Sequence, residues 1–185
     1  MHHGRWKLFA LCSSAGALLL ASVEPPGASA TSTTLSVSAV ITANCVLQTT
    51  SVSFGAYDPE VANLSTALTA SGKLSIACTR GSTPSISLDF GQHGGGPAGR
   101  NMLITTSGLS DTLRYQLYQP PGNAPGVPCA FPASKVWGDS PTLAFTPTSP
   151  TSRQLRSYSV CGAVPAGQPV RMGYYADTVI ATVNF

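Results

Sequence analysis

Along this chain, hydrophobic residues recur at every second position in short bursts, and turn residues such as glycine, proline, serine and aspartate end most bursts. A period of two broken in this way predicts strands rather than helices. In "TSTTLSVSAVITANC" (31–45), Leu35, Val37 and Ala39 alternate with serines, and Val40 and Ile41 then break the phase. That stretch reads as two short strands, or as one strand with a change of face. "VLQTTSVSFG" sets Val52 and Phe54 on one face, "GKLSIACT" groups Leu74, Ile76 and Cys78, and "PSISLDF" groups Ile86, Leu88 and Phe90. "DTLRYQLYQP" places Leu113, Tyr115 and Leu117 together, while "MLITTSG" and "TLAFTPT" read as further short strands. In "RQLRSYSVCGAV", Leu155 is in phase with Cys161, whereas Tyr158 and Val160 favour the other face. The chain finishes on "RMGYYADTVIATVNF", where Val179, Ala181, Val183 and Phe185 share one face.

Between these strands lie turn-rich stretches. "GQHGGGPAGRN" has three consecutive glycines and cannot hold the interior of an element. "PGNAPGVPCAFPASK" is a long excursion, and "AYDPEVANLSTALTAS" is a connection in which "EVANLSTALTA" has room for a helical turn or two. No longer window shows a clean 3.6-residue period. Many short strands at regular turn spacing predict an all-β sandwich or barrel. A chain of 185 residues is long enough for one such domain with a real core.

The N-terminus reads differently. Arg5 and Lys7 precede the apolar run "LFALCSSAGALLLA", and "ASA" follows at 28–30. The run is short for a bilayer span, and the small residues suit cleavage, so residues 1–30 are predicted to be an export signal. Cleavage after Ala21 is the alternative. Loss of residues 1–30 removes Arg5, Lys7 and Glu24 and leaves eight basic and six acidic residues. That balance offers no electrostatic basis for binding nucleic acid. Four cysteines remain, Cys45, Cys78, Cys129 and Cys161. An even number in an exported chain predicts two disulfides. Three pairings are possible, and the sequential one is preferred. Each loop it closes is worth about 4 kcal/mol in the chain-entropy account.

Chemistry-bearing patterns are sparse. His93 sits among glycines and reads as a solvated loop residue. No His-x-x-His, HExxH, GxSxG elbow or phosphate loop is present. Asp58, Glu60, Asp89, Asp111, Asp139 and Asp177 lie beside turns or strand ends, where capping and solvation account for them. The sequence therefore predicts no enzyme, no metal and no cofactor.

Four stretches together resemble the spore coat protein U domain family, which includes the pilins of archaic chaperone–usher pili. "NCVLQTTSVSFGAYDP" (44–59) resembles its opening signature, with Phe54-Gly55-x-Tyr57 after the first cysteine. "GKLSIACT" (72–79), "LRYQLY" (113–118) and "VPAGQPVRMGYYADTVIATVNF" (164–185) resemble its later strands and its ending. The likeness runs from about Leu35 to Phe185. It implies an immunoglobulin-like β-sandwich that lacks its last strand. It further implies that a periplasmic pilus chaperone lends a strand, that an outer-membrane usher assembles subunits, and that a neighbouring pilin's N-terminal extension takes the chaperone's place. It also supports a Cys45–Cys78 bridge near the open edge; pairing of Cys129 with Cys161 remains an inference from this sequence.

On this reading residues 31–42 are the donor segment and the possible start of the first strand, with Leu35, Val37, Ala39 and Ile41 as inserting side chains. Residues 43–185 are the pilin-type domain. Val179, Ala181, Val183 and Phe185 line the acceptor groove on a terminal strand after which no partner strand is expected. Phe54, Tyr57, Leu113, Tyr115 and Leu117 are structural core or corner residues. The expected product is a surface fibre, exported through the periplasm of a Gram-negative bacterium, that supports adhesion or biofilm formation. The rival readings are a secreted carbohydrate- or surface-binding module and a coat protein that uses the same domain without an usher.

Overall fold

The computed structural model describes residue 27 and residues 29–185. The predicted export signal therefore lies almost entirely outside the described residues. Two compact units divide at Ala39/Val40. In the first, residues 29–39 are exposed and form no strand. The second, Val40–Phe185, holds every described strand: β1 (Cys45–Thr50), β2 (Leu68–Cys78), β3 (Ser85–Leu88), β4 (Arg100–Ile104), β5 (Thr112–Tyr118), β6 (Arg156–Val164), β7 (Tyr175–Ala176) and β8 (Ala181–Asn184). The first strand thus starts at Cys45, not within residues 31–42.

The strands form a six-stranded sheet in the order β1-β2-β6-β5-β4-β7 and a two-stranded sheet of β3 and β8, all paired antiparallel. This is an all-β, incomplete sandwich of immunoglobulin-like form. The core between the sheets contains the predicted in-facing sets: Leu74, Ile76 and Cys78 from β2, Ile86 and Leu88 from β3, and Leu113, Tyr115 and Leu117 from β5. From β6 it takes Tyr158, Val160 and Val164, which settles the ambiguous phase of that strand. Cys161 is also fully buried, but on the opposite face, where the disulfide to Cys129 holds the 119–155 excursion against the sheet. Ser159 Oγ donates to Val127 O at 2.7 Å, and Gly126 N donates to Ser157 O at 2.9 Å, so the excursion is stitched down along β6.

Trp137 brings the excursion into the core. It is fully buried, its Nε1 donates to Ile86 O at 2.9 Å, and its ring packs 5.1 Å from Phe145. "TLAFTPT" contributes no named strand; Phe145 alone makes a two-way backbone bridge to Ile86. Flanking prolines at 141 and 147 limit the ladder to that point.

Two elements differ from the sequence expectation. β2 begins at Leu68, four residues before "GKLSIACT", and residues 59–66 form turns rather than helix. Gly72 lies inside β2 because a larger residue has no room there. A Cβ would come within 2.8 Å of both Thr50 O and Val52 Cγ2. Gly162 in β6 plays the same part for Phe54 and Val52, at 2.7 and 2.8 Å. The two glycines hollow the inner face of the sheet, and residues 51–54 pack into that hollow. In-facing positions accordingly change from odd (Cys45, Leu47) to even (Val52, Phe54) after Thr50. A strand that shifts phase in this way moves its side chains to a new set of neighbours.

Candidate functional site

The shift at Thr50 leaves a gap between residues 49–54 and the chain's last strand. A groove of about 320 Å³ runs there, walled by Val52 and Phe54 on one side and by Tyr175, Val179 and Ala181 on the other. Its floor is core: Leu74, Leu88, Met102, Tyr115, Leu117 and Val160. The wall residues Val52, Phe54, Val179 and Ala181, and Val183 farther along the same strand face, pack against the buried core yet remain only half-buried. That is the burial expected of a core with one layer of side chains not covered.

The backbone of β8 matches this. β8 pairs with β3 in the register Ser85↔Asn184, Ile86↔Val183, Ser87↔Thr182 and Leu88↔Ala181. Ile86 exchanges both of its backbone hydrogen bonds with Phe145, so its N–H and C=O point away from β8. Asp89 N donates to Ile180 O at 3.0 Å, extending the ladder by one pair. By the alternation of an antiparallel ladder, Ile180, Thr182 and Asn184 bond to β3, and Ala181 and Val183 aim their N–H and C=O groups at the opposite, open side. Among the described residues β8 pairs with β3 alone, and no backbone bond from outside the ladder reaches Ala181 or Val183. Their side chains are the in-facing ones, and Ile180, 58% exposed, faces out. The open edge therefore offers hydrogen bonds directly over an apolar groove, the arrangement that captures an extended strand.

The sequence-predicted residues fall as follows. Val179 and Ala181 line the groove, and Val183 continues their face of the terminal strand without lining it. Phe185 is outside β8 and half exposed. Leu113, Tyr115 and Leu117 are buried, and Phe54 packs its ring 6.1 Å from Tyr115. Tyr57 serves as a corner: its hydroxyl donates to Pro165 O at 2.8 Å and accepts from Gln168 N at 2.9 Å. Cys45 and Cys78 are bridged as directly opposed residues of β1 and β2, with Cα atoms 4.1 Å apart, and Cys129 is bridged to Cys161. Leu35, Val37 and Ile41 are each more than 80% exposed, and Ala39 is exposed as well.

A polar cluster at the groove's end went unrecognised in the sequence. The Asp177 side chain is only 2% exposed. Its Oδ2 accepts from Tyr115 Oη at 2.6 Å, and its Oδ1 accepts from Gln92 N at 2.9 Å. His93 Nε2 stands 3.9 Å from Oδ1 and is partly exposed. Burial, followed by the bond to Asp177, pushes the Tyr115 hydroxyl well above the ordinary tyrosine range. Arg100 is fully buried at the start of β4; its Nε and Nη2 donate to Asp89 O and its Nη2 to Trp137 O, and it lies 5.0 Å from the centre of the Phe90 ring. Burial lowers its pKa, an effect opposed by the nearby Tyr115, Asp89 and Asp177. Alternation counts apolar residues only, so nothing in it marks an arginine or an aspartate as internal. Among the described residues, no group of three or more potential metal ligands occurs, and no helix is long and apolar enough to cross a membrane.

Residues 31–182 match the Spore Coat Protein U domain. The chain belongs to that family. It is 32% identical over 144 residues to Protein U of Myxococcus xanthus, a match covering 72% of this chain and 71% of that protein. Among solved structures it is similar to a chain of the CsuC–CsuE chaperone–tip adhesion subunit pre-assembly complex from archaic chaperone–usher Csu pili of Acinetobacter baumannii. That likeness has a TM-score of 0.51 at 18% identity and covers 78% of this chain but 40% of the other, so the chain spans less than half of its length. At that identity the likeness concerns the fold. The spore coat protein U domain is a structural domain and not an enzyme.

Proposed function

We propose that this chain is a structural subunit of a chaperone–usher surface pilus, and that it polymerises by accepting a strand at the open edge of β8. The observation that carries this reading is the coincidence of unpartnered backbone groups at Ala181 and Val183 with half-buried apolar walls over the same groove. An extended segment laid there gains hydrogen bonds from its backbone and places alternate side chains on the core. The donor is residues 31–42 of another copy or of a related subunit. It carries Leu35, Val37 and Ala39 or Ile41 at alternating positions, and it has no charge and no proline. Because donor and acceptor are different surfaces, the contact is heterologous and does not close, so it propagates a fibre. Residues 1–30 are the export signal and residues 43–185 the accepting domain. The partners are a periplasmic chaperone that fills the groove first, an outer-membrane usher, and neighbouring subunits at the surface of a Gram-negative cell.

The relative named Protein U and the family's own name favour a second reading, a spore coat component built from the same domain without an usher. One experiment addresses both. The exported protein is run unboiled on a denaturing gel, as wild type and without residues 31–41, from cells with and without chaperone and usher genes. Strand donation predicts an SDS-resistant ladder that the deletion abolishes. A ladder that needs no usher supports the coat reading. A ladder that survives the deletion, or a wild-type chain that stays monomeric, contradicts donation by this segment.

A further inference from the structure

We infer that Asp177 is a positioning residue for strand capture: its buried carboxylate holds β8 at the groove while the groove is empty. The inference rests on the strand-acceptor reading above and adds to it the element that keeps the acceptor strand in place.

β8 has reason to be insecure. It spans four residues, pairs on one side only, and its in-facing residues are half-buried. Short, one-sided strands open easily. What precedes β8 is much better held. Asp177 Oδ1 takes the Gln92 N–H and Oδ2 takes the Tyr115 hydroxyl, tying the 176–178 segment both to the loop after β3 and to the middle of β5. Three residues on, Asp89 Oδ1 accepts from Ile180 N at 2.9 Å, while Asp89 N donates to Ile180 O. The two carboxylates thus bracket the entry to β8 from both sides of Val179.

The bracket is itself built in. Arg100, fully buried, donates twice to Asp89 O and once to Trp137 O, which fixes the loop that supplies Asp89. Gly91, at φ +81°, passes directly over Asp177, and a Cβ there would fall 1.9 Å from Oδ2. The backbone has made room for that carboxylate. Bonds to a buried charge are the stronger kind, and a partner left unpaired there is costly. Asp177 and Tyr115 also line the groove, so the clamp acts at its edge and not at a distance.

The test uses Asp177→Asn in the full exported chain. The amide keeps the shape, but its NH2 cannot accept a hydrogen bond. Amide exchange is read at Thr182 and Asn184 on β8 and at Leu74 and Tyr158 on β2 and β6. Affinity is read for a synthetic peptide of residues 31–42. The expected result is exchange at Thr182 and Asn184 faster by about tenfold or more, with little change at Leu74 and Tyr158, and peptide affinity lower by about tenfold. Equal acceleration everywhere would mean a general loss of stability and would overturn the inference. So would a variant whose β8 exchange and peptide affinity match the wild type. If Asp177→Asn does not fold, Tyr115→Phe removes one of the same bonds without changing charge and is read identically. If the wild-type protein ignores the peptide, strand acceptance fails, while exchange on β8 still decides the clamp.

Discussion

Gly162→Ala adds one methyl group to a fully formed strand, and the structure says what that methyl meets. The glycine has an ordinary strand backbone, so the substitution carries no strain in φ. Taken alone it would stabilise the protein by about 0.4–1 kcal/mol, through a less flexible unfolded chain. The new Cβ, however, lies 2.7 and 3.0 Å from two ring carbons of Phe54 and 2.8 Å from Val52 Cγ1. The other Val52 methyl sits over Gly72, where an added Cβ would lie 2.8 Å from it. The Phe54 ring is held edge-on to buried Tyr115. Overpacking of this kind costs about 1–3 kcal/mol, so the net loss is about 1–2 kcal/mol. The assay is urea unfolding of the oxidised protein, run as a cycle with Phe54→Ala. In the Phe54→Ala background both ring contacts are gone and only the Val52 contact remains, so Gly162→Ala costs less than in the wild type, a coupling of about 1 kcal/mol. If Gly162→Ala is as stable as the wild type, or costs the same with Phe54 absent, then residues 51–54 do not lie in the hollow described here. The groove wall built on them would fall with that result.

Two further predictions concern the core and the tether. Tyr115 keeps its proton more tightly folded than unfolded, so between pH 10, where an unfolded tyrosine ionises, and its raised folded pKa the native state binds the extra proton and stability falls as pH rises. Tyr115→Phe removes this contribution, and alkaline titration of the unfolding free energy should show a slope shallower by up to about 1.4 kcal/mol per pH unit; identical slopes would contradict the burial and bonding of that hydroxyl. Replacing Cys129 and Cys161 together by serine opens a loop with a sequence separation of 32 and should lower stability by about 4 kcal/mol in denaturant unfolding. Trp137 fluorescence should report loosening of the excursion in the same variant, and an unchanged midpoint would mean that the excursion holds β6 without the bridge.

The sequence carried most of the sandwich because most of its strands have one buried face. Leu74-Ile76-Cys78, Ile86-Leu88 and Leu113-Tyr115-Leu117 each sit where their alternation puts them. The in-facing phase of the terminal strand was legible for the same reason, since Val179, Ala181 and Val183 alternate with exposed residues; its open side was implied by the family resemblance and not by the alternation. Three features were hidden for physical reasons. The start of β2 was masked by Gly72, which reads locally as a breaker and is there to admit Val52. "TLAFTPT" has strand composition, but the prolines around it limit Phe145 to a single bridge. Leu35, Val37 and Ala39 alternate as well as any strand, yet they have no face to bury within their own unit and stay exposed. The polar end of the groove is the largest omission. A buried Asp177 and Arg100 are specified by partners distant in sequence, Gln92 and Tyr115 for one and Asp89 and Trp137 for the other. No local pattern encodes such pairs.

The proposed function requires a groove that waits for a strand from residues 31–42. Thermal unfolding of the oxidised chain lacking residues 1–42, with and without a peptide of residues 31–42, tests it directly. At a hundred times its dissociation constant, a peptide that binds only the folded state adds about 2.7 kcal/mol, which raises the midpoint of a domain this size by about 10 °C. A shift of that order is expected, growing with peptide concentration and disappearing when Leu35 and Val37 of the peptide are replaced by aspartate. A truncated chain that melts at the same temperature with or without the peptide would contradict it.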